Sequence, residues 1–501
     1  MEKKKKNTEK THVLIIPYIA QGHVIPLLEL AQCLIKHGVK VTFVNTDVNH
    51  NIIMKTWLEK DSFGPLMNMV SIPDGMEASE DRNNFIIAVE ALNRVIMPGK
   101  LEELIEMINK TDGDKICCVI ADVAMPWATR VAEKLRIRRV TFWSAPAATL
   151  ASLLSIQKLI DDGIMDNDGV PLNENIFQLS PTMPPMSTAE LGWACMDTLE
   201  KTKILFKNAI EAVEADKTAE WKLCNSTHEL ESPTFNMFPN LLPIGPLLAS
   251  NRLSKQAGHL WHEDSTCLAW LDKQPMSSVI YVAFGSFTIF NQTQFQEVAL
   301  GLELTNRPFL WVVRPGLTKE TSDTYPDGYM DRIGTRGKIV SWAPQQEVLA
   351  HPSVACFLSH CGWNSTLEGV SNAVPFLSWP YFADQLLNKT YICDIWMNGL
   401  GFQKDENGII RSEEIKDKVD KLLNNKEFKT RALNLKEKVM SSIREGGRSH
   451  ENFKCFIEWI KEIDYNGENH TTQERQRKGW SKGTCYSNCK IKGLCCIFLA
   501  P

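Results

Sequence analysis

The sequence predicts an α/β protein made of two doubly wound halves, each built on a parallel β-sheet. Apolar runs of strand length alternate with segments of helical periodicity, and this alternation is the pattern of βαβ units. The alternation weakens after residue 144 and restarts at residue 278, which divides the chain into two similar halves. The length of 501 residues supports this division, because a chain this long rarely forms a single hydrophobic core.

The first half begins with an apolar run at residues 12–18, and helical spacing follows over residues 25–38, ending at Gly38. Its other expected elements are strands at 40–46, 115–122 and 138–144 and a helix at 126–137. Residues 161–190 are rich in Asp, Asn and Pro, which predicts a long surface excursion. Residues 242–261 combine Pro, Gly, Ser and Asn with little periodicity, which indicates a linker.

The second half repeats the alternation of strands and helices. Its expected strands lie at 278–286, 308–314, 337–343 and 354–360, and its helices at 293–305 and 345–351. Apolar residues at helical spacing over 450–464 predict an amphipathic C-terminal helix. We therefore expect a disordered basic N-terminus at 1–10, an N-terminal domain at 11–245, a linker at 246–264, a C-terminal domain at 265–445, a final helix at 446–464 and a disordered tail at 465–501.

The composition argues against several classes of protein. The net charge of −5 gives no sign of a nucleic-acid-binding surface, and no apolar run is long enough to span a bilayer. The basic opening MEKKKK is followed by no apolar region, so it does not resemble a secretory signal. Several of the 14 cysteines lie inside apolar runs, which is typical of buried thiols in a reducing compartment. We expect a cytoplasmic monomer that binds no nucleic acid and has no membrane span. We interpret the cysteine-rich C-terminus as an unusual terminus rather than a metal site.

Polar residues cluster where the predicted strands end, which is where open α/β sheets bind their ligands. Gly22 and His23 follow the first strand, and Asp122 ends a later strand of the same half. Ser286 and Trp342 have similar positions in the second half. These residues are candidates for a binding or catalytic site at the edges of the two sheets.

The stretch SHCGWNST holds the densest set of polar groups and lies between a predicted strand and a predicted helix. It could bind a metal, contain a catalytic cysteine or bind an anion. The only possible metal ligands in the stretch are His360 and Cys361, which are adjacent in sequence. Adjacent residues rarely bind the same ion, so a metal site is disfavoured. The N–H groups and dipole of a helix N-terminus favour an anion, Gly362 permits close approach, and Asn364 and Ser365 add donors. These residues could bind a diphosphate. They could equally have a purely structural role, in which they cap the helix and bury a histidine.

Residues 342–385, WAPQQEVLAHPSVACFLSHCGWNSTLEGVSNAVPFLSWPYFADQ, closely resemble the signature box of the plant UDP-sugar glycosyltransferases, glycosyltransferase family 1. The resemblance covers residues 11–464 and includes IPYIAQGHVIPLLELAQCL, SIPDGME, CNSTHELE, LPIGPLL and VIYVAFGS in the family's order. The tail at 465–501 does not resemble the family. The resemblance implies the glycosyltransferase-B fold, in which two Rossmann-like domains face each other across a cleft. The second domain mainly binds the UDP-sugar in that fold, and the first mainly binds the acceptor.

The resemblance also implies a complete donor site. Trp342 would stack on the uracil, and the Glu368 carboxylate would accept hydrogen bonds from the ribose hydroxyls. The uracil would also contact Ala343 and Gln345, and the sugar would contact Trp363, Asp384 and Gln385. The diphosphate would contact His360, Gly362, Asn364, Ser365 and Ser286. Gly22 would also lie at the donor site. Gln385 resembles the residue of glucose-using members, whereas galactose users often have His there, so we expect UDP-glucose.

The reaction that the resemblance implies is an inverting displacement at the anomeric carbon, in which an acceptor hydroxyl attacks and UDP leaves. His23 matches the family's base, and Asp122 matches the partner that holds its tautomer and stabilises the imidazolium. We expect the positive end of the helix at 25–38 to keep His23 neutral. Taken singly, His23 could be only a helix cap and Asp122 only the start of a turn. We expect no metal and no cofactor, because the helix terminus and the SHCGWNST donors would stabilise the leaving diphosphate.

The acceptor pocket is expected at strand ends and loops of the first domain. Its candidate residues are Tyr18, Met125, Phe142 and Trp193. These apolar and aromatic segments indicate a small lipophilic metabolite, such as a phenolic or a terpenoid, that offers a hydroxyl or carboxyl group. They do not select among such molecules, because loops of this kind vary between relatives.

Four other classes of protein are compatible with parts of the sequence. A catalytically silent UDP-sugar-binding protein is disfavoured because both His23 and Asp122 are present. An NAD-dependent oxidoreductase or a P-loop NTPase is disfavoured because neither G-x-G-x-x-G nor G-x-x-x-x-G-K-[ST] occurs. A glycoside hydrolase would need two carboxylates flanking a sugar, whereas the expected cleft pairs a histidine with a carboxylate.

Overall fold

The computed structural model describes residues 11–57, 64–77, 80, 85–92, 96–111, 115–173, 176–194, 198–248, 262–318 and 325–462. The predicted disordered termini and the C-terminal cysteines lie outside the described residues, as does most of the predicted linker. The described residues form two parallel sheets flanked by helices. The predicted α/β class with two Rossmann-like units is therefore confirmed.

The first half forms a seven-stranded parallel sheet and a small two-stranded one. Its described strands are β1 His12–Ile16, β2 Lys40–Thr46, β3 Met67–Ile72, β4 Cys118–Asp122, β5 Arg138–Trp143, β6 Ile176–Phe177, β7 Met186–Ser187, β8 Trp221–Cys224 and β9 Leu241–Pro243. The large sheet has the order β3-β2-β1-β4-β5-β8-β9. Its central strands β1 and β4 are buried at every position, so their sequences are continuous apolar runs.

Helices cover both faces of this sheet. They are α1 Gln21–Lys36, α2 Asp47–Trp57, α3 Phe85–Leu92, α4 Ile96–Asn109, α5 Pro126–Lys134, α6 Ala147–Leu154, α7 Ile156–Asp161, α8 Leu199–Lys217 and α9 His228–Met237. The strand order reverses between β1 and β4, and the carboxyl ends of these two strands open a crevice there.

The second half forms a six-stranded parallel sheet. Its described strands are β10 Val279–Ala283, β11 Phe309–Val312, β12 Gly337–Val340, β13 Val354–Ser359, β14 Phe376–Ser378 and β15 Gly399–Gly401. The order is β12-β11-β10-β13-β14-β15, so this sheet also reverses at its centre, between β10 and β13. The helices are α10 Thr266–Leu271, α11 Gln292–Leu304, α12 Tyr329–Ile333, α13 Gln345–Ala350, α14 Trp363–Ser371, α15 Gln385–Thr390, α16 Ser412–Asn424, α17 Lys426–Ile443 and α18 Arg448–Lys461.

The segment predicted as a surface excursion is exposed at many positions, but part of it is packed. Leu179, Met183 and Met186 are buried together in a cluster that also contains Leu387 and Tyr391 of the second half. The two methionines contribute to this cluster between the halves, whereas Pro181 and Pro185 are exposed as the Pro-rich sequence predicts.

The last helix, α18, returns to the first half of the chain. Its buried residues Phe456, Ile457 and Ile460 belong to the core cluster of the first sheet. Arg138 of β5 donates a hydrogen bond to the Trp459 carbonyl at 3.0 Å and lies over its ring. In the part of the chain that is described, no helix is both long and apolar enough to cross a membrane.

Candidate active site

His23 and Asp122 meet in the crevice of the first sheet. His23 lies in the first turn of α1, which begins at Gln21 rather than at the predicted residue 25. Asp122 is the last residue of β4 and is fully buried, and its Oδ2 accepts from His23 Nδ1 at 2.8 Å. Its Oδ1 accepts from the Ala124 backbone N–H at 2.9 Å. Because an ionised carboxylate can only accept, the Nδ1 atom carries the proton and Nε2 is left as the basic atom.

Two further side chains of the first half surround His23. The Ser144 hydroxyl oxygen lies 2.9 Å from His23 Nδ1, and the Tyr18 ring packs edge-on at a centroid distance of 5.0 Å. Ser144 was not among the predicted site residues. It directly follows β5, so the rule that ligands bind at strand ends could have identified it.

The pKa of His23 is set by opposing effects. Burial lowers it, whereas the charge of Asp122, the hydrogen bond to Asp122 and the charge of Asp384 raise it, and the net result is a pKa above 6.5. This corrects the expectation that the helix N-terminus would govern the charge state. The carboxylate prevails because it is in direct contact with the ring, whereas the helix dipole acts only as a partial charge.

The loops that follow β10 and β13 meet around His360 in the second half. A Cβ atom placed on Gly285 or on Gly362 would lie 2.5 Å from His360 Nε2, so both positions need glycine for the imidazole to fit. Gly285 also has a left-handed φ of +68°, which glycine adopts without strain. The ring is thereby fixed beside the N-terminus of α14.

His360 is a neutral side chain with an unmet polar atom. Burial lowers its pKa to about 4, and its backbone N–H donates to Ala283 O at 3.4 Å. Its Nδ1 atom is buried and has no hydrogen-bond partner among the described residues. Buried polar atoms are normally paired, so this one is consistent with a ligand site at the end of β13.

Glu368 of α14 anchors a second polar cluster. Its two carboxylate oxygens accept from Gln345 Nε2 at 2.6 Å and from Gln346 Nε2 at 3.1 Å. Gln345 Nε2 also reaches Ser365 Oγ at 2.8 Å, and its Oε1 accepts from the Tyr281 hydroxyl at 3.1 Å. Predicted site residues from α13 and α14 are therefore joined in one network, with Tyr281 as a member that the sequence did not indicate.

Trp342 and Ala343 lie next to this network, immediately before α13. The Trp342 ring is half-buried and packs against the core of the second sheet, and Ala343 is buried. One face of an aromatic ring is thus fixed at the edge of the cleft.

Asp384 and Gln385 lie at the start of α15. Burial raises the pKa of Asp384 to about 6, and its Oδ2 accepts from Asn388 Nδ2 at 2.8 Å. The Gln385 Oε1 atom accepts from the backbone N–H groups of Tyr381 and Phe382 at 2.8 and 3.2 Å. The carbonyl end of Gln385 therefore holds the preceding turn, and its amide nitrogen is the end left for a ligand.

Several hydrogen bonds connect the two halves, and two of them come from side chains of α14. The Trp363 indole N–H donates to Asn225 O at 2.8 Å, and Asn364 Nδ2 donates to Gly22 O at 2.9 Å. Trp363 has a single side-chain donor, which this bond occupies, and it is only 3% exposed, so its indole connects the two halves. Its contact with the sugar stays a prediction. The pocket between the halves is lined by both of them, including Ile25, Glu29, Asn225, Leu247, Gln346, Asn364 and Glu368.

Of the four predicted acceptor residues, one lies beside His23 and three are buried in hydrophobic cores. Tyr18 lies beside His23, as described above. Phe142 is fully buried in the core of the first sheet, Met125 is 1% exposed, and Trp193 packs on Phe206 with its indole N–H donating to Gly169 O. These three side chains fill cores, so they have almost no surface that an acceptor could touch. Among the described residues, no group of three or more His, Cys, Asp or Glu side chains is placed to hold a metal ion.

Comparisons with known proteins agree with this geometry. A family model described as UDP-glucoronosyl and UDP-glucosyl transferase matches residues 202–442. UDP-glycosyltransferase 83A1 of Arabidopsis thaliana is 44% identical over 91% of this chain and 98% of its own length. The 7-deoxyloganetin glucosyltransferase of Gardenia jasminoides is 32% identical over 90% and 98%, and linamarin synthase 1 of Manihot esculenta is 31% identical over 90% and 96%.

Solved structures show the same fold. Os79 from O. sativa, in complex with UDP, aligns with a TM-score of 0.73 at 28% identity and covers 89% of this chain and 100% of its own. A UDP-glucosyltransferase from Polygonum tinctorium, described as capable of glucosylating indoxyl and in complex with 3,4-dichloroaniline, aligns with a TM-score of 0.78 at 27% identity, over 91% and 99%. With relatives of this identity over nearly the whole length and two facing Rossmann-like domains, the chain is an enzyme that belongs to the plant UDP-glycosyltransferases of glycosyltransferase family 1.

Proposed function

We propose that the enzyme transfers glucose from UDP-glucose to a hydroxyl or carboxyl group of a small lipophilic plant metabolite, with inversion at the anomeric carbon. The observation that carries the proposal is the His23–Asp122 pair, which faces the polar clusters of the second domain across one cleft. Glycosyl transfer needs a base on one side of the cleft and a site suited to bind a nucleotide-sugar on the other.

The donor would bind along the carboxyl edge of the second sheet. Trp342 offers a ring face for the uracil, and the Glu368 carboxylate can accept from the ribose hydroxyls once ligand replaces part of its amide network. The diphosphate would lie at the N-terminus of α14, near the unpaired Nδ1 of His360. Asp384 and the amide nitrogen of Gln385 would bind the sugar hydroxyls.

In the proposed reaction, His23 Nε2 accepts the proton of the acceptor hydroxyl. The acceptor oxygen forms a bond to the anomeric carbon as the bond from that carbon to the diphosphate oxygen breaks, and UDP leaves with the electron pair. The imidazolium that forms is stabilised by Asp122, which holds Nδ1–H at 2.8 Å. The dipole of α14 and the donors around His360 stabilise the leaving diphosphate, so the proposal includes no metal and no cofactor.

The names of the relatives support glucose as the sugar and small metabolites as acceptors, since two of them are glucosyltransferases by name. Tyr18 lies beside His23, but its side chain is only 6% exposed, so most of the surface that an acceptor touches must come from other residues. We also propose that the enzyme acts as a monomer and that it lies in the cytoplasm. The buried free thiols among the described cysteines support a reducing compartment.

The test is mass spectrometry of the purified enzyme with UDP-glucose and a panel of phenols, terpenoid alcohols and carboxylic acids. We expect a hexose to be added to at least one acceptor. His23→Ala should lower kcat/KM about 100-fold or more with alcohols and much less with carboxylates, which need no base. The exposed His37→Ala, at the end of the same helix, is the matched control.

Equal losses with every acceptor would show that His23 is not only a base. UDP-glucose binding without transfer to any acceptor would contradict the proposed reaction and favour a catalytically silent binding protein on the same fold.

A further inference from the structure

Arg314 is a buried cation for which the proposed reaction has no role. It follows β11 by two residues and is 7% exposed. Most buried arginines are paired with a carboxylate, because an unpaired charge loses its hydration without compensation.

The hydrogen bonds of Arg314 go to backbone carbonyls. Its Nε donates to Gly285 O at 3.2 Å, its Nη2 donates to Thr288 O at 2.6 Å, and its Nη1 donates to Pro315 O at 3.1 Å. The guanidinium therefore bridges both ends of one loop, residues 285–288. Among the described residues, Arg314 forms no ion pair, so its positive charge is neutralised by no carboxylate.

This loop, residues 285–288, which we call the donor loop, follows β10 at the centre of the second sheet. It contains Ser286, and its first residue packs against the imidazole of His360. Fixing the carbonyls of Gly285 and Thr288 fixes the backbone of Ser286 between them. A planar guanidinium suits this task, because its donors form a rigid fork.

The charge of Arg314 points to an anion nearby. Burial lowers the pKa of its guanidinium, and the interaction with Tyr381 opposes that change, but the group stays charged at neutral pH. Arg314 is in direct contact with the residue next to Ser286, at the edge where the proposed function places the diphosphate. A diphosphate would supply the missing negative charge at the moment of binding.

We propose that Arg314 is a positioning residue for donor binding: its fork holds the donor loop, and its unpaired charge is complemented by the diphosphate of the UDP-sugar. The proposal rests on the proposed donor site. It adds that Arg314 increases the affinity for UDP but not the affinity for uridine, the uncharged nucleoside.

Calorimetric binding of UDP and of uridine tests the charge. UDP and uridine share the nucleoside and differ only in the diphosphate. Arg314→Gln should weaken UDP binding about tenfold and uridine binding less than about twofold. Arg314→Lys keeps the charge but cannot bridge two carbonyls, so UDP affinity should stay within about threefold of the wild type while kcat falls about tenfold. Arg332→Gln, an exposed arginine of the same domain that pairs with Glu303, is the control.

Equal losses for UDP and uridine, or no loss in folded variants, would overturn the proposal and leave the proposed function intact. A wild-type enzyme that binds no UDP would overturn both. If Arg314→Gln does not unfold cooperatively on heating, Arg314→Lys tests the positioning role instead. An unchanged kcat in Arg314→Lys would contradict that role. Hydrogen exchange on the wild type gives a readout without substitution: UDP should protect the donor loop and uridine should not.

Discussion

At the scale of single residues, His23 depends on Asp122 for both its orientation and its charge state. Asp122→Asn removes the charge of Asp122, which raises the His23 pKa, and leaves burial, which lowers it, opposed by the charge of Asp384. His23 must be neutral to accept a proton, so wild-type activity falls as the pH drops below this raised pKa. We expect Asp122→Asn to lower kcat/KM about 100-fold and to move the acidic limb of its pH profile to lower pH. An acidic limb at the same pH in both enzymes would show that His23 is not the titrating group.

Gly285 offers a second prediction at this scale. Gly285→Ala adds a Cβ that would lie 2.5 Å from His360 Nε2 and also strains a left-handed backbone. Gly408→Ala is a matched control, because Gly408 has a similar φ of +76° and open space around it. Gly408→Ala should lose about 1 kcal/mol of unfolding free energy from backbone strain alone. Gly285→Ala should lose more, because its Cβ also overlaps His360, and only this variant should also lose UDP affinity. Similar UDP affinities for the two variants would mean that the position of His360 does not matter for the donor.

At the scale of secondary structure elements, the Glu231 carboxylate of α9 holds the start of α6. Glu231 is fully buried, and its oxygens accept from Ala147 N at 2.8 Å, Ala148 N at 2.9 Å and Ser226 Oγ at 2.6 Å. The loop that precedes α6 carries Ser144, which contacts His23. Glu231 therefore connects α9 to the edge of the first sheet at which His23 lies.

Glu231→Gln should destabilise the protein although the side chain keeps its shape. A glutamine has one acceptor oxygen, so its NH₂ group would face one of the three donors and leave it unpaired. We expect a loss of about 1–3 kcal/mol in denaturant unfolding. The exposed Glu214→Gln should change the free energy of unfolding by less than about 0.5 kcal/mol. Equal stability of the two variants would show that the capping of α6 is unimportant.

The sequence predicted the elements whose residues form long regular patterns. The expected strand at 40–46 coincides with β2, Lys40–Thr46, and the C-terminal helix was found within two or three residues of its ends. The strand β3 was missed because it lies at the edge of the sheet and only its last residue is fully buried. The strands β14 and β15 have three residues each, which is too short for a period to appear.

The start of α1 was misplaced for a different reason. The expected start at residue 25 came from the helical spacing of the apolar residues, and Gln21, Gly22 and His23 before them add nothing to that spacing. The helix begins at Gln21 and contains Pro26 in its interior. Because proline has no N–H, the carbonyl of Gly22, four residues earlier, has no donor within the helix. Asn364 of the other half donates to this carbonyl instead.

At the scale of the whole molecule, the sequence located both halves of the candidate site but not the contacts that join them. His23 and Asp122 follow strands, and the box at 342–385 has a recognisable pattern, so each half could be predicted separately. The bond between Asn364 and Gly22 joins residues that are 342 positions apart. Periodicity describes only neighbours along the chain, so it contains no information about how two domains dock.

The freed carbonyl of Gly22 makes the docking of the two domains testable. In Pro26→Ala, the new N–H at position 26 would occupy the Gly22 carbonyl and compete with Asn364. The cross-domain bond should then contribute less, so Asn364→Ala should cost less donor affinity in the Pro26→Ala background than in the wild type. A double-mutant cycle on the dissociation constant for UDP-glucose should give a coupling of about 1 kcal/mol. Strictly additive effects would mean that the proline has no part in docking, and that Asn364 acts on the donor alone.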